Sequence, residues 1–148
     1  MSNIYAVVVA GGIGTRMGNI EKPKQFLDLG SKPVIIHTIE KFVLHPGFEK
    51  VIVLTPRAWV GYTQDIVRKY IPGAEHVVVI SGGDTRNETI MNSIRYIEAE
   101  GKLDDETVII THDSVRPFLT HRIIEENIAA ALKYGACRLR RRRNAGKK

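Results

Sequence analysis

This chain lacks most of the features that place a protein at a glance. It has a single cysteine, Cys137, so no disulfide can form within it, and no Cys/His cluster has zinc-ligand spacing. No apolar run approaches the roughly 20 residues of a membrane span. The amino-terminal apolar run is too short for a signal peptide and lacks its charged lead. These absences set the expectation of a cytoplasmic protein with no membrane partner. No Gly-Lys-Ser/Thr closes a P-loop, and the dinucleotide fingerprint fails at Met17, where a third small residue belongs. No internal repeat or linker divides the chain.

Acidic residues are absent from the last twelve positions, Cys137 to Lys148, which hold seven Lys/Arg. The formal net charge of +6 therefore describes a tail, because the remaining fifteen Lys/Arg face sixteen Asp/Glu. A basic stretch of this kind is either a genuine arm for RNA or anionic lipid, or foreign to the natural sequence, as a frameshift or cloning scar would be. The body has no matching basic character, so the second reading is adopted and no nucleic-acid partner is expected. Two segments result: a nucleotide-binding α/β domain over 1–136, expected to be incomplete, and a non-native or disordered tail over 137–148.

What is present is a regular alternation of short apolar runs and longer helical patterns. Strands are expected at Ile4–Val9, Val51–Leu54, Val77–Ile80 and Thr107–Thr111, and helices over Val34–Leu44, Trp59–Ile71, Asn87–Ala99 and Thr120–Tyr134. Thr120 and Asp84 stand where helix caps belong, and Gly101 stands just after the third helix. Such alternation implies right-handed βαβ units, hence a Rossmann-like, mostly parallel α/β sheet with helices on both faces. Ligands of open sheets sit beyond the carboxyl ends of the strands.

Three of those ends carry chemistry. The first is the glycine turn Ala10-Gly11-Gly12-Ile13-Gly14-Thr15-Arg16-Met17-Gly18, followed by Lys22-Pro23-Lys24-Gln25. Free backbone N–H groups, glycine access and the cations Arg16 and Lys24 suit the phosphates of a nucleotide. The second, Gly82-Gly83-Asp84-Thr85-Arg86-Asn87-Glu88-Thr89, places a glycine pair ahead of a helix, where a flat base can lie against the backbone. The third is His112-Asp113-Ser114-Val115-Arg116-Pro117. Asp113 there suits Mg²⁺, a hard cation that takes an oxygen ligand and keeps most of its waters. His112 is read as structural, and Arg116 as a residue that holds its loop.

In this order the four motifs resemble those of the cytidylyltransferases that act on small polyol phosphates. The resemblance covers residues 3–136. It implies a homodimeric nucleotidyltransferase that moves CMP from CTP to a polyol phosphate, releases pyrophosphate and uses Mg²⁺. By position it puts the triphosphate loop on Ala10, Gly11, Gly12, Gly14 and Arg16, and catalysis on Arg16 and Lys24. Nucleotide contacts fall on Gly83, Thr89, Arg86 and Ser114, with the metal on Asp113.

Where the methylerythritol enzymes have Ala-Ala in the last motif, this chain has Ser114-Val115. Ser-Val resembles the ribitol 5-phosphate branch of teichoic acid synthesis, so ribitol 5-phosphate is the expected acceptor. The alternative is 2-C-methyl-D-erythritol 4-phosphate, the acceptor in isoprenoid synthesis. Members of the family continue through a second metal aspartate, another lysine, much of the acceptor pocket and an arm exchanged between subunits, none of which is present. A CTP-binding fragment without turnover is therefore the expectation from another class.

Overall fold

The computed structural model describes residues 3–10, 23–103, 106–114 and 121–134. Its centre is a four-stranded parallel sheet in the order β5-β4-β1-β6, formed by β1 (Ile4–Val9), β4 (Lys50–Thr55), β5 (Val77–Ser81) and β6 (Val108–Asp113). The expected strands are all present: the first has the expected bounds, the second and third run one residue further at one or both ends, and the fourth starts one residue later and runs on to Asp113. A small antiparallel hairpin of β2 (Asp28–Leu29) and β3 (Lys32–Pro33) lies outside this sheet. Two-residue strands carry no readable alternation, and nothing in the sequence pattern announces this hairpin.

Alternation along the strands divides the core into two layers. Ala6, Val8, Val51, Val53, Val79, Val108 and Ile110 face α1 (Val34–Val43), α2 (Val60–Tyr70) and α4 (His121–Tyr134). Those helices contribute Ile35, Ile36, Ile39 and Phe42 from α1, Ile66 and Val67 from α2, and Ile124 and Ile128 from α4. Tyr5, Val7, Ile52, Leu54 and Ile109 face the other way, onto Ile94 and Ile97 of α3 (Arg86–Ala99). Among the described residues helices thus cover both faces, three on one and one on the other. Strands apolar on both sides are what such a buried parallel sheet requires.

The chain visits β1, β4 and β5 in turn, moving to one side of β1, then returns through α3 to place β6 on the other side. The order therefore reverses at β1, and ligand sites of open α/β sheets lie beyond the carboxyl ends at such a reversal. Helix ends follow from local chemistry. Thr85, not Asp84, caps α3: its Oγ1 accepts from Glu88 N at 3.0 Å, while Glu88 Oε1 accepts from Asp84 N at 2.7 Å. The threonine caps the helix, and the glutamate three residues on reaches past it to the preceding amide, a variant of the capping box. Gly101, at φ +75°, ends α3. At the far end of α1, His45 Nδ1 accepts from Gly47 N, so Nε2 carries the hydrogen that reaches Glu125 of α4, 2.7 Å away. The expected Thr120 cap and the tail over 137–148 lie outside the described residues.

Candidate nucleotide site at the carboxyl edge of the sheet

Strand register brings the sequence motifs to one edge. Val9 stands opposite Leu54 on one side and Asp113 on the other, and Leu54 stands opposite Ile80. Ala10, Thr55, Ser81 and Ser114 follow in the next row. Three spacings of ~4.8 Å separate the ends of β5 and β6, about 14 Å in all, room for a base at one side and phosphates at the other.

The β1 end is fixed through its backbone. Ala10 N donates to Leu54 O at 2.7 Å, and Ala10 O accepts from the side-chain amide of Gln25 at 2.6 Å. Gln25 is only 2% exposed. It belongs to a 3₁₀ turn, Lys24–Phe26, in which Lys24 is exposed while Gln25 and Phe26 are buried. Phe26 stacks on Trp59 with centroids 5.0 Å apart and meets Tyr62 edge-on at 5.1 Å. Lys24 is thus a surface cation on a turn anchored from beneath. Gly11, Gly12, Gly14 and Arg16 lie outside the described residues.

At the β5 end, Gly82 N donates to Thr55 O at 2.8 Å, which continues the ladder past Ser81. Gly83 N donates to Thr89 Oγ1 at 3.0 Å, and that hydroxyl donates to Thr85 O at 2.9 Å. Thr89 is 4% exposed, so its hydroxyl shapes the glycine pair from below. Asn92 Nδ2 donates to Ser81 O at 3.2 Å and adds a second tie from α3. A Cβ on Gly83 would fall 2.4 Å from Glu88 Cβ, so only glycine fits where the loop meets the helix. Arg86 is exposed in the first turn of α3.

At the β6 end, Ser114 N donates to Val9 O at 3.0 Å, and Ser114 O accepts from Thr38 Oγ1 at 3.0 Å. Ser114 is 1% exposed, which puts its side chain in the packing beneath the edge. Asp113, half-buried, is the carboxylate next to the β1 end. Among the described residues no three His, Cys, Asp or Glu side chains gather as a metal cage. A single carboxylate at this edge nonetheless fits Mg²⁺, which is commonly held by one or two carboxylates together with substrate phosphates.

The structure therefore brings Ala10, Lys24, Gly83, Arg86, Thr89, Asp113 and Ser114 to one edge, with Thr89 and Ser114 buried under it. Sequence reasoning missed Gln25, Thr38 and the Phe26–Trp59–Tyr62 group. Gln25 sits inside the Pro-Lys-Gln motif, yet nothing in a sequence separates a buried glutamine from a solvated one.

Residues 4–139 match the family model for 2-C-methyl-D-erythritol 4-phosphate cytidylyltransferase. The chain belongs to this cytidylyltransferase family. Solved structures agree in fold. A 4-diphosphocytidyl-2C-methyl-D-erythritol synthase from Anaerococcus prevotii DSM 20548 has a TM-score of 0.66 at 24% identity, over 89% of this chain and 52% of that one. A second such synthase has a TM-score of 0.69 at 23% identity, over 87% and 54%. The bifunctional IspDF from Campylobacter jejuni has a TM-score of 0.65 at 23% identity, over 88% and 31%. This chain thus spans about half the length of the two synthases. No described helix is long and apolar enough to cross a membrane.

Proposed function

We propose that this chain carries the CTP-binding side of a cytidylyltransferase that moves the cytidylyl group from CTP to 2-C-methyl-D-erythritol 4-phosphate and releases pyrophosphate. The match of the family model over residues 4–139 carries this reading, with Ala10, Lys24, Gly83 and Asp113 at one sheet edge in its support. The same match favours the methylerythritol acceptor over ribitol 5-phosphate. The motif that pointed to ribitol is weakened by the burial of Ser114, since a side chain under the edge cannot read an acceptor.

In this reading an oxygen of the acceptor phosphate attacks the α-phosphorus of CTP in line. A new P–O bond forms as the bond to the β-phosphate oxygen breaks, and pyrophosphate leaves. No covalent enzyme intermediate is required. The chain positions the reactants and neutralises charge that builds on the α-phosphate and the leaving group. Gly82 and Gly83 offer close backbone approach to the base, and Arg86 lies beside them. Lys24 and Arg16 are assigned to the triphosphate, where fixed cations stabilise the transition state. Asp113 would hold Mg²⁺, which supplies charge neutralisation across the phosphates.

The test is pyrophosphate release from CTP and Mg²⁺ with each polyol phosphate in turn. Release with the methylerythritol phosphate and none with ribitol 5-phosphate supports the reading. The opposite preference restores the ribitol branch, and CTP binding without release leaves nucleotide binding as the activity of this chain.

A further inference from the structure

Gln25 presents a polar side chain that is almost fully buried and spans two segments fifteen positions apart. Its amide reaches the carbonyl of Ala10, the residue that precedes Gly11 in the sequence. Its own backbone belongs to the turn that displays Lys24. Phe26 separately fastens that turn to Tyr62 of α2 and to Trp59 just before it, so the turn has a second anchor besides Gln25. What Gln25 adds is a link from the turn to β1.

We infer that Gln25 is a positioning residue for nucleotide binding, which holds the Lys24 turn at a fixed distance from Ala10 at the carboxyl end of β1. The inference deepens the cytidyl-transfer reading and rests on it. A lysine is a point charge on a flexible four-carbon stem, so the place of its backbone decides which phosphate its ammonium can reach. Groups that share a ligand must be held to within about 0.5 Å, and that requires a locked supporting side chain. An amide donating to a buried carbonyl provides such a lock. An apolar side chain of the same size would fill the space, but it would leave the Ala10 carbonyl without its donor.

The experiment is a calorimetric titration of the full chain with CTP and Mg²⁺, using Gln25→Met and Gln25→Glu. Each is compared with the unsubstituted chain at the same pH, which cancels the titration of CTP itself. Folding is checked by far-ultraviolet circular dichroism. Gln25→Met is expected to bind CTP about tenfold more weakly at every pH, the loss of one buried hydrogen bond. Gln25→Glu is expected to lose as much near about pH 8 and to recover near about pH 5, because a protonated carboxyl donates to the Ala10 carbonyl and a carboxylate repels it. A merely structural role would lower the melting temperature of both variants with no pH-dependent return of affinity.

Folded Gln25→Met with unchanged affinity overturns the inference, as does a Gln25→Glu loss equal at both pH values. Should Gln25→Met fail to fold, the pH pair on Gln25→Glu decides alone. Failure of both to fold makes Gln25 a folding residue and also overturns the inference. If the unsubstituted chain does not bind CTP, the cytidyl-transfer reading falls, and this inference falls with it.

Discussion

Gly83 and Glu88 meet so closely that a methyl group on Gly83 would lie 2.4 Å from Glu88 Cβ. The glycine is therefore set by the helix behind it, whatever ligand lies in front. Gly83→Ala forces the loop off the start of α3 and is expected to destabilise the fold by about 1–3 kcal/mol, as overpacking does. Urea unfolding reads this directly. A variant as stable as the unsubstituted protein would mean that the loop moves aside freely.

Thr89 acts on the same loop from below. Thr89→Val keeps the shape and removes the acceptor for Gly83 N–H, at an expected cost of about 1 kcal/mol. Thr89→Ser restores the hydroxyl and should recover most of that stability and the affinity for CTP. If serine fails to rescue binding, the methyl group and not the hydroxyl is what the loop requires.

Lys24 is exposed, so its loss should leave stability within about 0.5 kcal/mol. For catalysis the expectation is different. In a cytidylyl-transfer assay, Lys24→Ala should lose on the order of 10²–10³ in turnover, like other deletions of one preorganised charge-stabilising donor. A loss under about tenfold would remove Lys24 from the mechanism.

Asp113→Asn tests the metal. If Asp113 ligates Mg²⁺, the concentration of Mg²⁺ for half-maximal pyrophosphate release should rise by at least about tenfold, since even outer partners of a metal are worth that much. An unchanged Mg²⁺ titration contradicts the assignment.

The opposite end of the sheet supplies a pH prediction. A hydrogen bond from Lys50 draws the Glu100 carboxyl below its ordinary value of 4.5, with Tyr96 Oη assisting at 3.0 Å. Because the folded value lies below the unfolded one, the contribution is complete above about pH 4.5 and is lost as the pH falls through the folded value. Both partners are about a quarter exposed, which keeps the contribution to about 1 kcal/mol or less. Glu100→Gln should flatten the acid limb of a stability–pH curve and leave CTP binding unchanged. A limb of unchanged steepness would assign the acid sensitivity to other carboxylates.

The β1, β4, β5 and β6 strands were legible because each is a compact apolar run between turn signals, and α1 to α4 because their apolar residues recur at helical spacing. The edge was legible at Gly83 and Asp113, which stand where strands end in the sequence, and at Lys24, a cation close behind the glycine turn. Less visible were the bonds that hold that edge. Gln25 to Ala10 and Thr38 to Ser114 join positions far apart in sequence and leave no periodicity. Burial also changes the sense of a residue: Ser114 reads as a polar candidate in the sequence and packs beneath the edge in the structure.

The place of β1 has a consequence for how the protein is made. Ile4 pairs with Val108 and Tyr5 with Lys50, so β1 lies between two neighbours that both follow it in the chain, one of them far behind. Contacts so distant in sequence slow folding, because the intervening chain must be brought in before they form. On the ribosome, β1 would leave the exit tunnel before either neighbour and wait with one edge unpaired until β6 has been translated. The strand that leads into the glycine loop is thus one that needs protection during synthesis.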